Sequence, residues 1–271
     1  MLSEGLWFAF TGLIIGLLGS FMGVGGGFIL VPTLILLFSF EAHHAVGTSI
    51  ATVLFTGLSS FIAYFSQKRV DWKTGLTLEL VTVPGAIIGS YATEFISSRN
   101  LEFLFVFLLF WLAYRMWKEK NRNNENFRKI DSRDGFIWRR RMTDVDGNML
   151  EYNVKIFTAL ILSFFAGFSS DFFGIGGGVM KVPFLVYSGM PIHVAIATSS
   201  LMVTITAFSA LIGHAFLADV QYTCLFFLVP GVLMGAQIGA RIAKRTKPKL
   251  LRKVFSLMLV AISILMLIEI L

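Results

Sequence analysis

The chain has 271 residues, 56% of them hydrophobic and 14% charged, with a mean hydropathy of +0.76. A soluble domain carries roughly 25% charged residues, so water-soluble classes are excluded and the surplus apolar surface is expected to face lipid. The formal charge of +7 does not point to nucleic acid, because the basic residues cluster in loops between apolar runs.

In chain order, Met1–Gly5 hold no basic residue and no small-residue cleavage site follows, so the first apolar segment is expected to be retained. That segment, Leu6–Phe40, would make a straight helix of about 50 Å, against a hydrocarbon core of about 30 Å. It is interrupted by Gly23-Val24-Gly25-Gly26-Gly27. Each glycine costs a helix about 1 kcal/mol, and the backbone groups freed in lipid need partners from protein or water. Ala45–Phe65, Gly75–Ala92 and Leu101–Trp117 each suit one crossing. Lys118–Lys155 holds ten Lys/Arg and seven Asp/Glu and is not a membrane segment. Asp146-Gly147 within it is a hairpin-turn signal between Ile137–Thr143 and Met149–Val154. Ile156–Tyr187 is again too long for one crossing and is broken at Gly174-Ile175-Gly176-Gly177-Gly178. Val194–Phe216, Tyr222–Ile242 and Val254–Leu271 complete the apolar segments. Residues 1–117 and 156–271 are thus two transmembrane repeats, and 118–155 is a charged linker between them. The single cysteine, Cys224, rules out an internal disulfide.

The two halves repeat. Gly23, Gly25, Gly26, Gly27, Val31 and Pro32 reappear in order as Gly174, Gly176, Gly177, Gly178, Val182 and Pro183. His43, Ala45, Thr48 and Ser49 match His193, Ala195, Thr198 and Ser199, and Pro84-Gly85 with Gly89 match Pro230-Gly231 with Gly235. Except for Arg99 and Lys181, every Lys and Arg lies in Lys68–Lys73, Arg115–Lys155 or Arg241–Lys253. The positive-inside rule puts all three stretches in the cytoplasm. Eight simple crossings violate that placement. A glycine-broken segment that folds back as a hairpin satisfies it, with both termini outside, the linker cytoplasmic, and Glu4, Glu41, Asp219 and Glu269 outside or interfacial. The expected fold is an all-α polytopic membrane protein of two inverted-topology repeats, each a glycine-broken helical hairpin plus three transmembrane helices. A parallel repeat with two long tilted helices is the competing arrangement.

The breaks lead the candidate site residues. Backbone N–H groups at Gly25, Gly26, Gly27 and at Gly176, Gly177, Gly178 can face a ligand directly. The helix after each break would aim about half a positive charge at the same point, which favours an anion. The competing reading is that the glycines serve only tight turns and close helix contact. Thr48, Ser49, Thr198 and Ser199 offer hydroxyls to an oxyanion or to the preceding helical turn. Asp171 and Lys181 flank the second break. Lys181 either faces the anion or pairs with Asp171, while Ser20 and Leu30 hold those places in the first half. Asp171 and Glu79 are the candidate proton carriers, with Glu79 near enough the end of its segment to snorkel to the cytoplasmic surface. His43, His44 and His193 lack a paired spacing or clustered acids, so no metal is expected. Phe28 and Val179 spoil a G-x-G-x-x-G pattern, and no Walker sequence is present. No nucleophile–base set is readable, so neither a cofactor nor an enzyme is expected.

The duplicated G-x-G-G-G motif followed by an apolar stretch and proline, at Gly23–Pro32 and Gly174–Pro183, resembles the TauE/SafE family of sulfite exporters. The likeness covers the chain apart from Asn121–Tyr152. It implies a secondary transporter or facilitator that exports sulfite or related small sulfur-containing anions across the cytoplasmic membrane. A potential of about 100 mV, negative inside, favours exit of each negative charge by about 2.3 kcal/mol, so no ATP is needed. The alternatives are a proton-coupled carrier of another small anion or metabolite, and a non-transport membrane subunit of sulfur metabolism. The partners implied are a small anion and membrane lipid, and a homodimer is one assembly open to such a chain.

Overall fold

The structure is a computed structural model describing residues 2–92, 98–118, 136–172, 178–216 and 220–270. Both overlong apolar runs are split at glycine. Helix α1 (Leu2–Met22) ends at the first break and α2 (Gly27–Phe38) starts beyond it. Helices α3 (Ala42–Ser66), α4 (Trp72–Ala92) and α5 (Ser98–Lys118) complete the first half. After strands β1 (Ile137–Thr143) and β2 (Met149–Lys155), the second half runs α6 (Ile156–Phe172), α7 (Gly178–Tyr187), α8 (Ile192–Phe216), α9 (Tyr222–Arg245) and α10 (Pro248–Ile270). Among the described residues, α1, α3, α8 and α9 are long and apolar enough to cross a bilayer, and α2, α6 and α7 are shorter apolar helices. Leu36 and Leu80 are 79% and 76% exposed, a surface that lipid, not water, accommodates.

The halves interlock through glycine. Helix α1 packs along α9, and α6 packs along α4. A Cβ at Gly235 would lie 2.1 Å from the Leu13 carbonyl oxygen, and one at Gly167 would lie 2.0 Å from that of Thr82. Without side chains at these positions the backbones come into direct contact, the usual means of cohesion between helices in lipid. The same contacts fix which residues are equivalent. Gly85 stands against Phe164 as Gly235 stands against Leu13, whereas Gly231 stands against Ala9. Gly85 therefore corresponds to Gly235, and matching Pro84-Gly85 with Pro230-Gly231 is wrong by one helical turn. Glycines spaced four apart in α9 let the sequences slide by a turn without losing their glycine matches.

Helices α3 and α8 cross near Gly57 and Thr204 and run in opposite directions. The Gln221 N–H, beyond the end of α8, donates to Thr48 Oγ1 near the start of α3, and the Asp71 N–H, beyond the end of α3, donates to Thr198 Oγ1 near the start of α8, each at 3.0 Å. Helices α5 and α10 also pack together, with Ser256 Oγ donating to the Ala113 carbonyl at 2.6 Å.

Strands β1 and β2 pair antiparallel on either side of Asp146-Gly147, from Ile137↔Lys155 to Thr143↔Met149. The hairpin is docked on the helices, not suspended in solvent. Asp71, fully buried at the start of α4, accepts from Arg140 Nε at 2.9 Å and from Tyr152 Oη at 2.8 Å, and is ion-paired to Arg140 Nη2. It also accepts from the Thr74 N–H and Oγ1 and so caps α4. Arg69 pairs with Asp144 at 3.0 Å and Lys244 with Asp146 at 2.9 Å. Burial alone would raise the Asp71 pKa, but Arg140, Thr74 and Tyr152 together hold it below the ordinary carboxylate value of 3.8. A depressed carboxylate stabilises the fold fully above its unfolded pKa and loses that contribution as pH falls through the folded value. The hairpin should therefore stay docked at pH 5 and loosen only below pH 3.8. Asp71→Asn should loosen it at neutral pH, read as faster amide exchange over residues 137–155 with α1 and α9 still protected.

Candidate functional site

The first glycine break is built by left-handed backbone. Gly23, Gly25 and Gly26 have φ of 70°, 87° and 85°, values that side-chain-bearing residues rarely adopt. The Val24 and Gly25 N–H groups both donate to the Gly19 carbonyl, at 2.9 and 3.2 Å, which caps the end of α1. Gly26 stands at the N-cap of α2 without a side chain to cap it. Ile29 and Leu30 donate to the Gly26 carbonyl, both at 3.1 Å, while the N–H groups of Gly26, Gly27 and Phe28 find no acceptor among the described residues. Gly26 and Gly27 are buried. Among the described residues three amide donors at a buried helix N-terminus thus have no acceptor, an arrangement that favours an anion.

This break lies at the α3–α8 crossing. A Cβ on Gly25 would lie 2.8 Å from Val53 of α3 and 2.9 Å from Val203 of α8, and one on Gly178 would lie 2.2 Å from the Val24 carbonyl oxygen. The start of α7 therefore abuts the first break. Gly176 and Gly177 lie outside the described residues. Ser199 Oγ donates to the Gly23 carbonyl at 2.7 Å and Ser49 Oγ to the Gly27 carbonyl at 3.4 Å. Thr48 and Thr198 accept the N–H groups that start α9 and α4. All four hydroxyl residues are buried; Ser49 and Ser199 brace the backbone of the break, and Thr48 and Thr198 the starts of α9 and α4. The Gly25 N–H is already spent on Gly19, so the donors available to a ligand are those of Gly26, Gly27 and Phe28.

One buried ion pair lies close by. Lys181 Nζ is 3.3 Å from both carboxylate oxygens of Glu79, and the two side chains are 1% and 4% exposed. Thr206 of α8 is hydrogen-bonded to both partners. Lys181 comes one turn after Gly178 on α7, and Thr206 one turn after Val203 on α8. Helix α7, which meets α8 at the break, thus also carries a buried cation paired with an anion of α4.

The chain matches the sulfite exporter TauE/SafE family over residues 8–266. It belongs to that family. The probable membrane transporter protein YunE of Bacillus subtilis is 31% identical over 93% of each chain. A probable membrane transporter protein of Methanocaldococcus jannaschii is 26% identical over 95% of this chain and 93% of its own. A TauE/SafE family protein 6 of Arabidopsis thaliana, itself named a sulfite exporter, is 34% identical over 28% of this chain. No solved structure matches. Family and relatives together make the protein a multi-pass membrane transporter.

In this TauE/SafE protein Glu79 does not snorkel to the surface as its place in the sequence suggested; it is 3% exposed and paired across the halves. The side chain of Asp171 lies outside the described residues, and the described partners of Lys181 are Glu79 and Thr206. Glu41, His43 and His44 offer ligand atoms within 4.8 Å of one another, so these histidines do have a clustered acid. The group is largely exposed, with His43 Nε2 at 3.3 Å from Glu41. Sequence reasoning passed over Asp71, Arg140, Tyr152 and Thr206. Asp71-Trp-Lys-Thr74 is a readable N-cap signal, but nothing local announces its partners in the linker. Lys181→Met would leave Glu79 buried without its partner charge and should cost about 3–5 kcal/mol, as for other broken buried pairs. Adding Glu79→Gln should recover most of it. Thermal unfolding of both variants in detergent tests this, and a double variant no more stable than Lys181→Met would refute the pairing.

Proposed function

We propose that this transporter is a secondary carrier or facilitator for sulfite and related small oxyanions. The carrying observation is that the N–H groups of Gly26, Gly27 and Phe28, at the start of α2 beside the crossing of α3 and α8, have no acceptor among the described residues. An oxyanion there accepts from those amides and gains from the helix dipole without needing a dedicated cation. Gly176, Gly177 and Gly178 are the matching donors on the other side, and Ser49, Ser199, Thr48 and Thr198 hold the frame. Lys181 is the accessory charge. A transporter with this site needs no catalytic groups, so the protein is not an enzyme in this reading.

The repeats are proposed to have inverted topology. Support comes from the opposite directions of the equivalent helices α3 and α8 and from the reciprocal packing of α1 on α9 and α6 on α4. Lys68–Lys73, the hairpin and Arg241–Lys253 then share the cytoplasmic side, with the termini outside. The docking of Arg69, Asp144, Asp146 and Lys244 on one another fits that placement. Impermeant labelling of cysteines introduced at Lys68 and Lys249 should mark both from the same side, and opposite sides would rule the topology out.

Proteoliposomes should show saturable sulfite flux, with sulfate, sulfonates and carboxylates as competitors of graded strength. Gly26→Leu puts a side chain at a φ of 85° and against Ile15, and should abolish both flux and the thermal shift caused by sulfite. Ser49→Ala, which removes the brace on the Gly27 carbonyl, should weaken binding by about tenfold, the value of roughly one hydrogen bond. Wild-type liposomes that pass none of these anions under any gradient would end the proposal.

A further inference from the structure

Among the described residues four bases lie over aromatic rings, and three of them gather where α5 ends and α10 begins. Arg115 stands over two rings, 5.7 Å from the centre of Trp111 on its own helix and 5.2 Å from that of Tyr187 at the end of α7. Lys118 lies 5.5 Å from the centre of Tyr114, and Lys253 of α10 lies 5.2 Å from that of Trp117. Helix α5 packs on α10 and touches α7. At 100° per residue, Arg115, Trp111, Lys118, Tyr114 and Trp117 follow one another around α5, so bases and rings alternate on one surface.

No acid neutralises this corner among the described residues. Lys118 meets the Tyr114 hydroxyl at 3.2 Å, and neither Arg115 nor Lys253 is bonded to an acceptor. The hairpin reaches the same corner, with the Lys155 N–H donating to the Ser188 carbonyl at 3.0 Å. The acids it brings are paired elsewhere, Asp144 with Arg69, Asp146 with Lys244 and Glu151 with Arg141. The dipole of α5 accounts for bases in its last turn, but not for Lys249 and Lys253 in the first two turns of α10, where a helix favours anions instead. A ring holds a cation in place and leaves its N–H groups to a second partner.

Below the bases the same face of α5 is apolar and exposed. Phe103, Phe107 and Phe110 follow at helical spacing, Phe107 with 70% of its surface uncovered. Half-exposed Trp and Tyr side chains above such a stripe belong at the level of lipid headgroups. A soluble anion would use only the cations; an anionic amphiphile matches cations and stripe together. We propose that Arg115, Lys118 and Lys253 form a binding site for the phosphate of an anionic phospholipid, whose acyl chains lie along Phe103, Phe107 and Phe110. Because Tyr187 ends α7, the bound lipid joins α7 to α5 and α10. The site is separate from that of the transported anion.

Native mass spectrometry of the full chain tests it, with phosphatidylglycerol and phosphatidylcholine of identical acyl chains as probes. The wild type should bind phosphatidylglycerol more tightly. R115Q/K118Q/K253Q should lose that preference, by about fivefold per charge removed. K68Q/R241Q/R245Q removes as many exposed bases, none of them over a ring among the described residues, and should bind as the wild type does. R115Q alone should be about fivefold weaker, and it decides the matter if the triple variant does not fold. A wild type indifferent to headgroup charge overturns the site, as does undiminished preference in the Arg115 variants. An equal loss in K68Q/R241Q/R245Q would reduce it to diffuse attraction and overturn it too. So would displacement of the lipid by glycerol phosphate at equal concentration, which would make it a site for soluble anions.

Discussion

Between lipid and protein an apolar side chain has little preference, so helices in a bilayer cohere where their backbones can touch. In this protein that condition is met by glycine at the α1–α9 and α4–α6 contacts. Gly12 and Gly16 of α1 meet Leu228 and Val232, and Gly231, Gly235 and Gly239 of α9 meet Ala9, Leu13 and Leu17. Each of these two seams joins one half of the chain to the other. With the outer helices clamped in this way, α3 and α8 are left to cross at the centre, and the first glycine break is pressed against the crossing through Gly25, Val53 and Val203. The site is a product of the seams.

A duplicated frame does not have to hold a duplicated charge distribution. Hydroxyls are shared evenly, with Thr48 and Thr198 bonded to the starts of α9 and α4. The ionisable pair is one-sided. Lys181 on α7 and Glu79 on α4 come from different halves, so their attraction also ties the halves together at depth. Such a pair is expensive to bury, and its retention is better explained by a function that uses charge than by stability alone.

Much of this was legible in the sequence because its causes are local. Consecutive glycines in a lipid-length apolar run cannot continue a helix, so the places where α1 gives way to α2 and where α7 begins follow from composition. What failed had non-local causes. The alignment of α4 with α9 slipped by a turn because glycine recurs every fourth residue in α9, and only the contacts with Leu13 and Phe164 choose between registers. Glu79 lies about one and a half turns into its apolar segment, a depth from which a long side chain reaches the surface. The hairpin seals that end of α4, with Asp71 buried beneath it, so a shallow position by residue count is a deep one by access to water. The partnership of Asp71 with Arg140 and Tyr152 joins a membrane segment to a linker whose charges, taken alone, look like a solvated loop.

That anchorage has a mechanical consequence. Asp71 is both the cap of α4 and the socket of the hairpin, held by Arg140, Tyr152 and Thr74 at once. A tilt of α4 therefore drags residues 137–155 along as one body, as a pointer follows its shaft. The outer strand of the hairpin is within reach of water-soluble dyes, so it translates the angle of a helix buried in lipid into a displacement that can be watched from outside.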